Sequence, residues 1–92
     1  MMIHFEFASA FSTALGGKSF QVELAENICT LERAIQGLYQ KYPHFQEVFE
    51  QKKMIKDGNL NAMFVMGNGV LRLDTFLEDG CLVRVFGPIA GG

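Results

Sequence analysis

Hydrophobic and polar residues alternate near the start of the chain. In Met2-Ile3-His4-Phe5-Glu6-Phe7, the residues Ile3, Phe5 and Phe7 share one face and His4 and Glu6 the other, the period of a half-buried strand. Positions 8–14 show no clear period. Gly16-Gly17 then supplies a turn into residues 18–24, where Phe20, Val22 and Leu24 alternate with Ser19, Gln21 and Glu23. The two runs predict a β-hairpin with a long connection.

The period then lengthens. Leu31, Ala34, Ile35, Leu38, Tyr39 and Tyr42 recur at helical spacing on one face. Thr30 stands where an N-cap belongs, and Glu32 lies in the first turn, where negative charge suits the helix dipole. Pro43 disfavours helical geometry at Tyr42 and should end or break the helix there. Phe45, Val48 and Phe49 fit a short second helical turn and read as core rather than as a partner groove. Residues 54–61, with Asp57-Gly58-Asn59, read as a polar loop. Residues 63–66 and 70–73 are strand candidates on either side of Gly67-Asn68-Gly69, a strong turn signal. Asp79-Gly80 turns into a last strand over residues 81–86. There Val83 and Val85 point to the core face, while Leu82, Arg84 and Phe86 share the other. Hairpin, one long helix and short strands, without repeat or linker, predict a single α+β domain over residues 1–92, its mixed sheet packed on one main helix.

Composition removes several functions. Ninety-two residues leave no room for two independent cores, and a hydrophobic fraction of 49% is ample for one. Nine Phe are many for this length and serve cores and interfaces alike. A net charge of −2 argues against a nucleic-acid partner, since phosphate binding needs clustered Lys and Arg. The one basic group, Lys52, Lys53 and Lys56, is interrupted by Met54 and Ile55 and bordered by Glu50 and Asp57, and reads as a solvated segment. No run approaches the ~18–20 apolar residues of a membrane span, and no basic region followed by an apolar run opens the chain, so a cytoplasmic protein without membrane contact is expected.

Candidate chemistry inside the chain is sparse. Cys29 and Cys81 form no CxxC or Cys-His grouping, and two buried or half-buried free thiols are expected. Cys81 reads as a small hydrophobe rather than a persulfide relay. His4 and His44 have no Cys, Asp or second His at ligand spacing, so no metal is expected. Ser9, Ser12 and Thr13 lack the G-x-S-x-G context of a hydrolase nucleophile. Neither a G-x-x-x-x-G-K-S/T phosphate loop nor a G-x-G-x-x-G fingerprint is present, so no nucleotide cofactor is expected on the chain itself.

What remains is the end of the sequence. Gly87-Pro88-Ile89-Ala90-Gly91-Gly92 follows straight on the last strand, with no Ser-rich or tag-like spacer. Terminal glycines add no packing and lose much backbone entropy when ordered, so the tail reads as a flexible, side-chain-free carboxylate on a rigid mount. A frayed end or cloning scar is the bland alternative; the direct fusion to an apolar strand makes residues 87–92 the expected site of function.

The run Asp79-Gly80-Cys81-Leu82-Val83-Arg84-Val85-Phe86-Gly87-Pro88-Ile89-Ala90-Gly91-Gly92 resembles the closing signature of the MoaD/ThiS sulfur carriers. In that signature a D-G turn leads into an apolar strand, a Pro, an aliphatic residue, a small residue and Gly-Gly. The Thr30-Leu31-Glu32 start and Lys41-Tyr42-Pro43 close of the helix resemble the MoaD pattern, as does Ile3-His4-Phe5-Glu6-Phe7-Ala8. The likeness runs along nearly the whole chain, is most specific in the last fourteen residues, and by length favours MoaD over ThiS. Two positions depart from it: Cys81 stands where a second acidic or polar residue is usual, and Gly87 where a first proline is frequent. The Met63 to Gly69 stretch is also more apolar than in most relatives.

The resemblance implies a β-grasp (ubiquitin-like) fold and a carrier rather than a catalyst. A terminal carboxylate, with a reference pKa of ~3.3–3.7, is a poor electrophile until activated. The implied route is adenylation of Gly92 by an ATP-dependent, ubiquitin-activator-like partner of the MoeB/ThiF kind. Conversion to a thiocarboxylate follows, with sulfur drawn from a cysteine desulfurase or a rhodanese. Glycine at positions 91 and 92 lets the tail thread a narrow channel and leaves the carbonyl open to attack. The first pathway implied is molybdopterin biosynthesis, with the chain as small subunit beside a larger, MoaE-like subunit of molybdopterin synthase. Carriers for thiamine or cysteine are sibling readings, and a ubiquitin-like modifier conjugated through Gly92 is the alternative from another class; a third is a β-grasp interaction module with an inert tail.

Partner contact is expected from Phe86, Arg84, Pro88 and Ile89. Pro88 fixes φ and stiffens the exit from the sheet. Phe86 reads as a docking anchor against plain core packing, with relatives keeping an aromatic near this point. Arg84 reads equally as a pair for an acidic partner residue or as a solvated edge residue.

Overall fold

A computed structural model describes residues 1–88 of the chain. Strand β1 (Met2–Phe7) and strand β2 (Ser19–Glu23) pair antiparallel from Met2↔Glu23 to Glu6↔Ser19, as the alternation predicts. Their connection, which has no legible period, folds as helix α1 (Ser9–Leu15). It buries Phe11 and Leu15 and closes at Gly16, whose φ of 81° is left-handed.

Strand β3 (Ile28–Thr30) leads directly into helix α2 (Leu31–Lys41). Thr30 is the cap: its Oγ1 accepts from the Arg33 N–H at 3.2 Å. Two further free amides of the first turn are satisfied from afar. Leu31 N–H donates to the Thr75 carbonyl at 2.9 Å and Glu32 N–H to that of Leu73 at 3.0 Å. The helix stops at Lys41, with Tyr42 at φ −128° and ψ 81° ahead of Pro43. Pro43 then opens helix α3 (His44–Gln51), two full turns where the spacing predicted a short one. The main helix thus has two shorter companions.

Residues 54–61, expected to form a polar loop, contain a hairpin instead. Strand β4 (Ile55–Lys56) pairs with strand β5 (Asn59–Leu60) across Asp57-Gly58, both at positive φ, and Met54 is fully buried beside it. Strand β6 (Ala62–Met66) turns at Gly67-Asn68 into strand β7 (Gly69–Val70). The strand expected over 70–73 is shorter: it ends at Val70, although Leu71 N–H still donates to the Phe64 carbonyl at 2.7 Å and the Leu71 side chain is buried in the core. Strand β8 (Phe76–Glu78), with no sequence signal of its own, pairs with β3. Strand β9 (Leu82–Pro88) begins one residue later and ends two residues later than the 81–86 predicted.

The main sheet has the order β2-β1-β9-β6-β7, with β9 at its centre, parallel to β1 and antiparallel to β6. Its inner face carries Ile3, Phe5, Phe7, Val22, Phe64, Val83 and Val85, all buried. Phe7 is the hub, 5.9–6.2 Å between ring centroids from Phe5, Phe11, Phe20, Phe45 and Phe49, mostly edge to face. One aromatic cluster therefore ties β1 and β2 to α1 and α3, which accounts for most of the nine Phe. Among the described residues no helix is long and apolar enough to cross a membrane.

Candidate functional site

The mount of the tail is the best-braced strand of the sheet. β9 has β1 on one side, with Glu6↔Arg84 and Phe7↔Val85, and β6 on the other, with Val65↔Arg84 and Met63↔Phe86. Its ladder continues to Ala62↔Pro88 past an irregularity between Ala62 and Met63. α1 borders its far end: Ala8 N–H donates to the Val85 carbonyl at 2.9 Å, and Phe11 lies beside Gly87. A Cβ at Gly87 would meet Phe11 Cζ at 3.8 Å, an ordinary contact, so packing does not demand glycine there.

Strand alternation sorts the predicted site residues. Val83 and Val85 are fully buried, as expected. Phe86 is 45% exposed and is no core residue; the packing alternative for it is removed. Residues opposite one another share a face, so one row across the outer side of the sheet reads Ser19, Glu6, Arg84, Val65, Val70. Arg84 is exposed in the middle of it, with the Glu6 carboxylate one strand away. The next row holds Met63 and Phe86 together, and the row before it Gln21, His4 and Leu82.

The result is an apolar patch on a face that ought to be polar. Phe86, Met63 and Leu82 are 45%, 38% and 38% exposed around Arg84, with Val70 at 67% on the adjoining edge. Met63, Val65, Leu82 and Val70 belong to the patch but were not among the predicted site residues. Leu82 was legible from strand alternation as a face-mate of Arg84 and Phe86. For Met63 and Val65 the one sequence signal was the apolar excess of residues 63–69, and only the register with β9 places them beside Phe86 and Arg84. Of the remaining predicted residues, Pro88 is the last described; Ile89, Gly91 and Gly92 lie outside the described residues.

The other candidates are quiet. Both cysteines are free thiols, Cys29 buried and Cys81 half-buried. Cys81 lines a depression of about 330 Å³ with Met66, Leu82 and Arg84. Burial pushes both thiols up, with Glu26 adding to Cys29. That keeps them protonated at neutral pH and unsuited to a relay. His44 sits with Nε2 3.2 Å from the Leu15 carbonyl, tying α3 to the end of α1. Among the described residues no group of three or more His, Cys, Asp or Glu is placed to hold a metal.

A central strand parallel to β1, a helix crossing the sheet, and flanking hairpins decide the architecture. The chain has the β-grasp, ubiquitin-like fold. No protein-family model matches the sequence, and no curated protein does. Solved structures match it closely in shape. SAMP1, small archaeal modifier protein 1, from Haloferax volcanii superposes with a TM-score of 0.76 at 17% identity, covering 100% of both chains. A putative molybdopterin converting factor subunit 1 from Pyrococcus furiosus gives 0.72 at 17% identity, over 97% of this chain and 99% of that one. A chain of the Amycolatopsis orientalis BexX/CysO complex gives 0.72 at 16% identity, over 98% and 99%. Fold and size are thus shared along the whole chain, and the fold that the MoaD/ThiS resemblance implied is the fold observed.

Proposed function

We propose that the chain is a ubiquitin-like sulfur carrier whose Gly92 carboxyl is the cargo site. One observation supports this most directly. The strand that leads into Gly91-Gly92 is the centre of the sheet, and an apolar patch of Phe86, Met63 and Leu82 around Arg84 lies exposed beside it. A partner that docks on the patch holds the root of the tail at a fixed place. Its own active site then does the chemistry.

On this reading an adenylating partner of the MoeB/ThiF kind joins the Gly92 carboxylate to AMP and releases pyrophosphate. The outer sulfur of a persulfide carried by a cysteine desulfurase or rhodanese then attacks the carbonyl and displaces AMP, giving an acyl disulfide. A thiol attacks the donor cysteine's sulfur, forms a disulfide with it and releases the thiocarboxylate. The neighbours in fold favour molybdopterin synthesis beside a larger, MoaE-like subunit as the first destination. One of them is named a putative molybdopterin converting factor subunit 1, and another, with a TM-score of 0.56 at 17% identity, comes from a complex of subunits 1 and 2 of the molybdopterin-converting factor of Helicobacter pylori. Delivery to a thiamine or cysteine pathway uses the same handle. Protein modification is the second reading, favoured by a neighbour named a small archaeal modifier; there Gly92 ends in an isopeptide bond.

Intact mass after incubation with ATP, a sulfur donor and the organism's adenylating enzyme separates these. Replacement of one oxygen by one sulfur at Gly92 is the expected result. A carboxylate that stays unchanged, or lysine adducts that vanish when Gly91 and Gly92 are deleted, would set the carrier reading aside.

A further inference from the structure

The fold carries a second concave surface that shares no residue with β9. Helices α2 and α3 and the β4–β5 hairpin enclose about 360 Å³, within the ~300–1,000 Å³ of ordinary ligand sites. Ile35, Ile55, Leu73 and the Tyr39 side chain give it apolar surface, while Glu32 from α2 and Glu50 from α3 supply two carboxylates. No Lys or Arg lines it. Among the described residues the ion pairs are Arg33–Glu26 and Arg72–Asp74, so neither glutamate is engaged in one. Burial, with Glu50 adding, pushes the Tyr39 phenol up to about 12, so it is neutral and free to hydrogen-bond at physiological pH.

Apolar walls with two unpaired carboxylates complement a cation on an apolar stem. A lysine side chain has both parts, its methylenes covering apolar surface while the ammonium stays at the polar edge. Its ammonium is a compact point charge that either carboxylate can take without a fixed approach, whereas a guanidinium fork needs the planar, bidentate approach of one. The surface is also longer than one side chain. Glu32, Gly58 and Leu73 border a second depression of about 370 Å³, which continues past Asn59, Arg72 and Asp74. A free amine fills only the first; an extended backbone spans both.

We propose that this groove binds an extended segment of a partner protein, seating one lysine side chain against Ile35, Ile55 and Tyr39 with its ammonium drawn to the carboxylates of Glu32 and Glu50 that line it. The proposal is independent of the chemistry at Gly92. It gives the carrier a docking surface on the helical side that stays open while the sheet face is occupied.

Nitrogen–proton correlation spectra of the full chain test it, with acetyl-Gly-Ser-Lys-Ser-Gly-amide as the probe. Saturable shifts at Ile35, Tyr39 and Gly58 are expected. The Glu32→Gln/Glu50→Gln variant should weaken binding at least about tenfold, the equivalent of one charge-assisted contact. The isosteric changes leave the spectrum outside the groove in place; the single Glu50→Gln variant serves as a second reading of the same loss. Absence of saturable shifts overturns the proposal, as does equal binding of the peptide with norleucine in place of lysine. Butylamine binding as tightly as the peptide overturns the assignment to a protein segment. Unchanged affinity in the double variant overturns the role of the two carboxylates.

Discussion

At the scale of single residues, two phenylalanines in the same sheet have opposite work. Phe7 is buried at the hub of the aromatic cluster, and truncating it removes five ring contacts and opens a cavity. Phe7→Ala should therefore cost about 3–5 kcal/mol in denaturant unfolding. Phe86 keeps nearly half its surface in water, and Phe86→Ala should cost about 1 kcal/mol or less. The same change should weaken binding to the proposed adenylating partner by about 2 kcal/mol, roughly thirtyfold in Kd, if the patch is the docking surface. Unchanged binding would remove Phe86 from the docking surface. Tyr39 offers a second test. Its phenol is raised from the ordinary 10 to about 12, so between those values the folded chain holds a proton that the unfolded chain has released. Stability from this group is complete below pH 10 and falls as pH rises toward 12. In a Tyr42→Phe background, phenolate absorbance should show a midpoint near 12 when folded and near ~10 in denaturant. A midpoint unchanged by unfolding would mean that the ring is solvated.

At the scale of elements, α2 lies so close to β2 that a glycine is required between them. A Cβ on Gly37 would stand 2.7 Å from Val22 Cγ1 and 3.0 Å from Leu24 Cδ2. Both neighbours are buried, and Val22 is β-branched with no room to turn away. Overpacking of about 1–3 kcal/mol should exceed the ~1 kcal/mol that Ala gains over Gly in a helix, so Gly37→Ala should lower Tm. Gly87→Ala, which meets only an ordinary contact with Phe11, should leave Tm unchanged. A stabilised Gly37→Ala protein would show that α2 can shift outward. The elements visible in the sequence were those with local causes. Alternation wrote β1 and β2, Thr30 capped α2, Pro43 ended it, and the glycine turns set off β6 and β9. The missed elements are held by distant partners. Residues 28–30 and 76–78 become strands only because they meet each other. Gly37 showed no sign in sequence because its constraint is a neighbouring sheet. The site was legible in the same uneven way. Arg84 and Phe86 followed from the period of one strand, whereas Met63 and Val65 needed the register between two.

At the scale of the whole molecule, the strand that carries the tail is the central one of the main sheet. β9 has a hydrogen-bonded strand on each side, and Val83 and Val85 sit fully buried on the helices. The β4–β5 hairpin and β7 are two-residue ladders at the periphery. Protection against hydrogen exchange scales with how much structure must open to release an amide. The amides of Val83 and Val85 should therefore exchange only through global unfolding, with opening free energies equal to that from denaturant melts. Those of Lys56 and Val70 should exchange through local opening at far lower cost. Such a gradient bears directly on the proposed carrier role. A handle passed between partners must present the same docking face to each, and a central strand that opened only through complete unfolding would hold Phe86, Arg84 and Met63 in one arrangement throughout. If the β9 amides exchanged by local opening, faster than those of β1, the strand would fray toward the tail and docking would have to order it first. Binding would then carry an entropic cost at every transfer, and the rigid-mount account of the site would fail.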